Sequence, residues 1–119
     1  FAMYATALQA GELITAVSFP IPKRAAYAKF KQGASRFAMV GVFVADTAQG
    51  PRVAVTGAAN GVFRHAGLEA ALAKKFAPEV VAQVSIDASE LNSDIHASAE
   101  YRAQLIKVQT RRAVQEALA

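Results

Sequence analysis

The sequence predicts an α+β domain: an antiparallel sheet of three to four strands with three helices packed on one face. Three observations carry this. From Leu13 to Thr56 the apolar residues alternate or run unbroken in segments of strand length. Beyond Gly61 the spacing becomes helical, so strands come first and helices after. The last stretch, Ser98 to Ala119, holds no Gly or Pro and is rich in strong helix formers, which makes it one long helix.

In chain order, residues 1–10 read as a connector arriving from an upstream domain. The chain starts at Phe1 without an initiator Met, so it reads as a piece of a longer protein cut near a domain boundary, with 1–119 forming a single domain. Leu13 to Phe19 sets Leu13, Thr15, Val17 and Phe19 against Ile14, Ala16 and Ser18, a strand pattern that Pro20-Ile21-Pro22 ends. Ala25 to Gln32 is a second strand, with Ala26, Ala28 and Phe30 facing one way and Tyr27, Lys29 and Lys31 the other. Gly33-Ala34-Ser35 makes a turn or bulge. Phe37 to Ala45 is apolar on both faces; its valines favour a central strand covered on both sides. A hairpin loop over 46–51 leads to a strand over Arg52 to Thr56, and Asn60-Gly61 then turns the chain.

Leu68 to Phe76 has helical spacing, and Pro78 followed by Glu79 opens a second helix through Val84. Asp87 to Ser93 is a polar linker. Ser98 caps the last helix and Glu100 complements its dipole. At ~100° per residue, Tyr101, Leu105, Val108 and Arg112 share one face, widened by Ile106, Ala113 and Ala117. Glu100, Gln104, Lys107, Arg111 and Gln115 line the opposite one. Arg102 and Arg112 break this pattern. Two placements suit them: snorkelling from the edges of the apolar stripe, or pairing with a carboxylate such as Asp87 or Asp94.

Composition narrows the function classes. A chain of 119 residues, 54% hydrophobic and rich in alanine, supports one core of small side chains. No run of ~18 apolar residues is present to span a membrane, and the start lacks a basic region ahead of an apolar one. The absence of cysteine excludes disulfides, thiol catalysis and cysteine-ligated metal centres within this chain and fits a cytoplasmic protein. The net charge of +4 is scattered in ones and twos, without the aromatic and basic clustering that nucleic-acid binding calls for.

Catalytic constellations are not found. His65 and His96 stand alone without metal-ligand spacing. Gly57-Ala58-Ala59-Asn60-Gly61 lacks the features of a phosphate loop and reads as a turn. Asp87, Glu90 and Asp94 fit a solvated cap region. On chemistry alone the domain is not a self-sufficient enzyme, and no catalytic or metal-ligating residue is assigned. The set that stands out is Tyr27, Lys29 and Lys31, opposite the face that helices would cover. That face is either solvated or covered by a partner domain.

Several segments carry a resemblance. They are Thr6-Ala7-Leu8, Gly11-Glu12-Leu13-Ile14, Ala26-Tyr27-Ala28-Lys29-Phe30, Phe37-Ala38-Met39-Val40-Gly41-Val42, and Asp94-Ile95-His96-Ala97-Ser98-Ala99-Glu100-Tyr101-Arg102 with Arg111-Arg112-Ala113. In this order they resemble the C-terminal domain of the FAD-binding medium subunit of molybdenum hydroxylases, of the carbon-monoxide-dehydrogenase and xanthine-dehydrogenase kind. The resemblance spans nearly the whole chain, and the combination is specific where each motif alone is weak. It implies an N-terminal FAD domain in the same chain, a small iron–sulfur subunit and a large subunit carrying the molybdenum cofactor. Electrons would pass from the iron–sulfur centres to FAD. FAD would belong to the full-length subunit and would not be held by this stretch, which lacks the glycine-rich loops for its phosphates. By resemblance, Tyr27 and Lys29 are the residues nearest the flavin. The family commonly has Arg where Gly33 stands, Asp where Arg36 stands, and Thr-Pro where Asn60-Gly61 stands, so what those residues do elsewhere does not carry over. The alternative is a free-standing α+β binding or interaction module with no redox role.

Overall fold

The computed structural model describes residues 5–119. Four strands form one antiparallel sheet in chain order: β1 (Arg24–Lys31), β2 (Ala38–Thr47), β3 (Gly50–Thr56) and β4 (Phe63–Arg64). Helix α1 (Ala66–Lys74), a 3₁₀ helix (Pro78–Gln83) and the long helix α2 (Ala99–Leu118) follow. The architecture is the α+β sheet-and-helices arrangement that the sequence predicts.

The sheet registers place Ala28, Val42 and Val55 in one row across β1, β2 and β3. Val44 and Val53 pair in the next row, and Phe30 and Val40 in the one before. These side chains point to one face and meet Leu68 and Leu72 of α1, Val81 of the 3₁₀ helix, and Leu105, Ile106, Ala113 and Val114 of α2. Alternation therefore sorts the sheet as expected: valines inward, the Tyr27 and Lys29 row outward. β2 is not covered on both sides by this chain, because Phe43 on the outer face remains 41% exposed.

The hairpin between β2 and β3 is tighter than the sequence suggests. Pairing runs to Thr47↔Gly50, so only Ala48 and Gln49 form the loop. Gly50 takes φ +98°, a conformation open to glycine, and the Thr47 hydroxyl donates to the Gly50 carbonyl at 2.7 Å.

Two expectations are corrected, the strand over Leu13 to Phe19 and the facing of α2, and two details are added. The strand over Leu13 to Phe19 does not form; the segment is irregular, with Leu13 74% and Phe19 78% exposed. Its pattern suits a strand, but a strand needs a neighbour to pair with, and none of the described strands adjoins it. The helix opened by Pro78 is present and is of the 3₁₀ kind, six residues long. β4, two residues long, was not foreseen, being too short to show any period. The facing of α2 is also rotated. Its buried residues are Arg102, Ala103, Leu105, Ile106, Gln109, Thr110, Ala113 and Val114, while Tyr101 and Arg112 are exposed and Val108 half-buried. The stripe is centred nearer Ile106 because two polar residues, Gln109 and Thr110, sit in the interior. Thr110 satisfies its hydroxyl on the Ile106 carbonyl at 2.7 Å.

The helix starts are locally encoded. Ser98 Oγ accepts from the Tyr101 amide at 3.2 Å, as a serine cap should. For α1 the cap is His65, whose Nδ1 accepts from the Leu68 amide at 3.1 Å. Burial pushes the His65 pKa below the ordinary histidine range, which keeps Nδ1 free to accept. Glu69 locks this corner by accepting from the Val53 amide (3.0 Å) and, bidentately, from the Arg64 guanidinium (2.8 and 2.7 Å). That guanidinium holds the Glu69 carboxyl below its usual pKa.

Candidate functional site

The outer face of the sheet is the one that the domain's own helices leave uncovered. Two rows of side chains cross it. Tyr27 of β1, Phe43 of β2 and Ala54 of β3 form one, and Lys29, Gly41 and Thr56 the next. Tyr27 is 43% exposed and lies beside the exposed ring of Phe43. The structure thus brings both sequence-predicted site residues, Tyr27 and Lys29, to one face, pointing away from α2. Phe30, next in the chain, goes the other way and meets Tyr101 of α2 edge-on, ring centres 6.3 Å apart.

The Lys29 ammonium is held. Its Nζ donates to the Arg36 carbonyl at 3.3 Å. Arg36 sits at φ +60°, a left-handed conformation uncommon for a residue with a side chain. Its amide donates to the Gln32 carbonyl at 2.9 Å, and the Gln32 amide to the Phe37 carbonyl at 2.8 Å. The turn between β1 and β2 thus presents a carbonyl to Lys29.

Gly41, Phe43 and Thr56 were not singled out in the sequence. Tyr27 leans diagonally across the sheet, and its hydroxyl lies 3.3 Å from Thr56 Oγ1. A Cβ on Gly41 would collide with the Tyr27 hydroxyl and lie 2.6 Å from Thr56 Oγ1. A glycine inside an otherwise apolar strand is the signal that could have been read, since it marks a close approach.

Beside this face lies a mostly apolar cleft of about 790 Å³, lined by Phe19, Pro20, Pro22, Phe43, Ala45 and Arg52 among others. The segment ahead of β1 forms its second wall. Another cleft, about 460 Å³, lies between the turn at Asn60-Gly61 and Asp87, Glu90 and Leu91, with His65 on its wall. Among the described residues no group of three or more His, Asp or Glu is placed to hold a metal ion. No helix among them is long and apolar enough to cross a membrane.

The donors on the outer face suit one edge or face of a flat heteroaromatic ring: a tyrosine ring, a phenylalanine ring and one fixed ammonium. They do not suit a pyrophosphate, which needs clustered free backbone amides.

The sheet is thus covered by helices on one side and open on the other. Residues 25–117 match the family described as the CO dehydrogenase flavoprotein C-terminal domain, and the chain belongs to that family. Among solved structures it is similar to a reconstituted CO dehydrogenase from Oligotropha carboxidovorans, at 26% identity and a TM-score of 0.73 over 96% of this chain and 44% of that one. A cyanide-inactivated Cu,Mo-CO dehydrogenase is similar at 26% identity and TM-score 0.68, over the same shares. Quinoline 2-oxidoreductase from Pseudomonas putida 86 shares the fold at 21% identity and TM-score 0.66, over 82% of this chain and 38% of that one. The chain therefore spans less than half the length of these solved chains. A search of curated protein sequences returns no match.

Proposed function

We propose that this domain closes over the flavin of a CO-dehydrogenase-like molybdenum hydroxylase, packing its outer sheet face against an FAD-bearing domain of the same cytoplasmic subunit. The partners in this reading are that FAD domain, a small iron–sulfur subunit and a large molybdenum subunit. The observation that carries it is the Tyr27, Phe43 and Lys29 face, left open by the domain's own helices in a family whose solved members are more than twice as long. The apolar segment from Leu13 to Ile21 supports it further. Its strand pattern finds no partner in this chain, and a free-standing module would expose it to water. The CO dehydrogenase likeness covers 96% of the chain, more than residues 25–117 alone supply.

In this reading the flavin, when bound, supplies the redox chemistry that links the iron–sulfur centres to an external acceptor. Tyr27 contributes an aromatic wall. Lys29 contributes a positive charge, fixed by the Arg36 carbonyl, that favours negative charge on the neighbouring ring. Tyr27 and Phe43, partners in register across β1 and β2, exclude water from that contact.

The test is Lys29→Met in the full-length subunit, which removes the charge and keeps much of the stem. The expected result is full FAD occupancy with a lowered flavin reduction potential, because reduction loses a stabilising cation. An unchanged potential and reoxidation rate at full occupancy would reject the role for Lys29.

A further inference from the structure

We propose that Thr56 is a positioning residue which, with the side-chain-free Gly41, latches Tyr27 flat on the sheet, so that the face offers a flavin an aromatic surface and no phenol proton. This rests on the reading that Tyr27 lies at the flavin.

The geometry begins with the row Lys29, Gly41, Thr56, in register across β1, β2 and β3. The middle position has no side chain, which leaves a trough one residue wide. The phenol of Tyr27, one row away, lies down into it. A Cβ at Gly41 would lie 2.8 Å from Tyr27 Cζ and overlap the hydroxyl oxygen, so an alanine cannot share the trough with the ring. Gly41 is itself buried although it lies on the open face, because Tyr27 covers it.

Thr56 decides where the protons go. Its hydroxyl donates to the Gly41 carbonyl at 3.4 Å. A threonine hydroxyl carries one hydrogen. Either hydroxyl can donate across the 3.3 Å contact between Tyr27 Oη and Thr56 Oγ1; with the Thr56 hydrogen on the Gly41 carbonyl, the phenol is the donor. The chain of hydrogen bonds runs from Tyr27 to Thr56 to the backbone and ends inside the sheet. The phenol proton is committed there and is not available to a ligand above the sheet. The outer face of the ring, with Phe43 beside it, is what remains on offer.

The experiment uses the FAD-loaded full-length subunit and compares Thr56→Val, Thr56→Ser, Gly41→Ala and Tyr27→Ala by flavin fluorescence, visible spectrum, FAD content and Tm. A tyrosine ring stacked on a flavin quenches its emission. Thr56→Val matches the volume, removes the acceptor and should raise the emission at least about twofold with FAD content and Tm retained, as loss of one bond near ~1 kcal/mol loosens a conformer about fivefold. Thr56→Ser should restore the parent value, and Gly41→Ala should raise emission as Tyr27→Ala does. If Thr56→Val keeps the parent emission while Tyr27→Ala raises it, the latch is wrong and Tyr27 still stands at the flavin. If Tyr27→Ala changes nothing, the placement of the flavin fails, and the proposal with it.

Discussion

Arg102 and Asp94 form an ion pair at 2.8 Å in which the guanidinium is buried and the carboxylate half-exposed. Of the two placements open to Arg102 in the sequence, the carboxylate partner is the one realised. The same guanidinium donates through Nη1 to the carbonyls of Met39 (2.9 Å) and Gly57 (3.1 Å). It thus ties the first turn of α2 to β2 and to the turn after β3. Asp94 in turn accepts from the His96 and Ala97 amides at 2.9 and 3.1 Å, which shapes the approach to the Ser98 cap.

Arg102→Ala should cost about 2–4 kcal/mol of unfolding free energy, because two interior carbonyls lose their donor. Asp94→Asn keeps the turn and should cost less. The His96 amide, with help from Ala97 and Arg102, holds the Asp94 carboxyl below its ordinary pKa. A depressed carboxyl stabilises the fold above the unfolded-state pKa, and that contribution is lost as pH falls below about 4. Urea unfolding from neutral pH downward should therefore show a flatter acid limb for Asp94→Asn than for the parent.

On α2, Ile106→Ala should cost about 2–5 kcal/mol, since its side chain is fully buried against the sheet. Val108→Ala, at a half-buried position, should cost about 1 kcal/mol, and Gln104→Ala no more than about 0.5 kcal/mol. Thermal melts rank the three; equal losses at 106 and 108 would refute the facing seen here.

His65 gives a separate pH signature. Its pKa is lowered by burial, so the unfolded chain takes up a proton first as pH falls. Stability is fully present above the unfolded-state pKa and declines from about pH 7.5 towards pH 5.5, where an ordinary histidine titrates. His65→Asn keeps a capping oxygen for the Leu68 amide and removes the titration. The slope of stability against pH should shrink in that window.

Gly57 stands at φ +76°, and a Cβ there would strike the Ala38 carbonyl and lie 2.9 Å from the Met39 carbonyl. Gly57→Ala should cost more than about 1 kcal/mol from the conformation alone, and more from the backbone it displaces. A melting temperature within error of the parent would contradict this geometry.

The isolated chain should retain no FAD. The backbone amides of the outer face are spent in the ladders between strands, so no free cluster is gathered there to cradle a pyrophosphate. Yellow protein after purification would overturn this.

What the sequence makes legible here is whatever depends on local spacing. The outward facing of Tyr27 and Lys29 follows from strand alternation, and the start of α2 follows from Ser98. The failures share a physical cause. Leu13 to Phe19 has the residues of a strand, but pairing is decided by a neighbour that spacing does not specify. Periodicity centred α2 on Leu105 and Val108 because it assigns polar residues to water, while Gln109 and Thr110 lie inside. Gly41 and Thr56 escaped notice because the reach of Tyr27 is diagonal, across three strands, and no interval along the chain encodes it.

The Arg102 tie also sets an order of assembly. It joins residues 63 apart in sequence, and α2 is the last element in chain order. During synthesis the sheet can pair its hairpins as soon as β3 emerges, since those contacts are local. Its valine face is then covered in part by α1 and the 3₁₀ helix, and fully only when α2 docks. A chain without a docked α2 would keep the part of that face over β1 and β2 bare, a species for chaperones to shield.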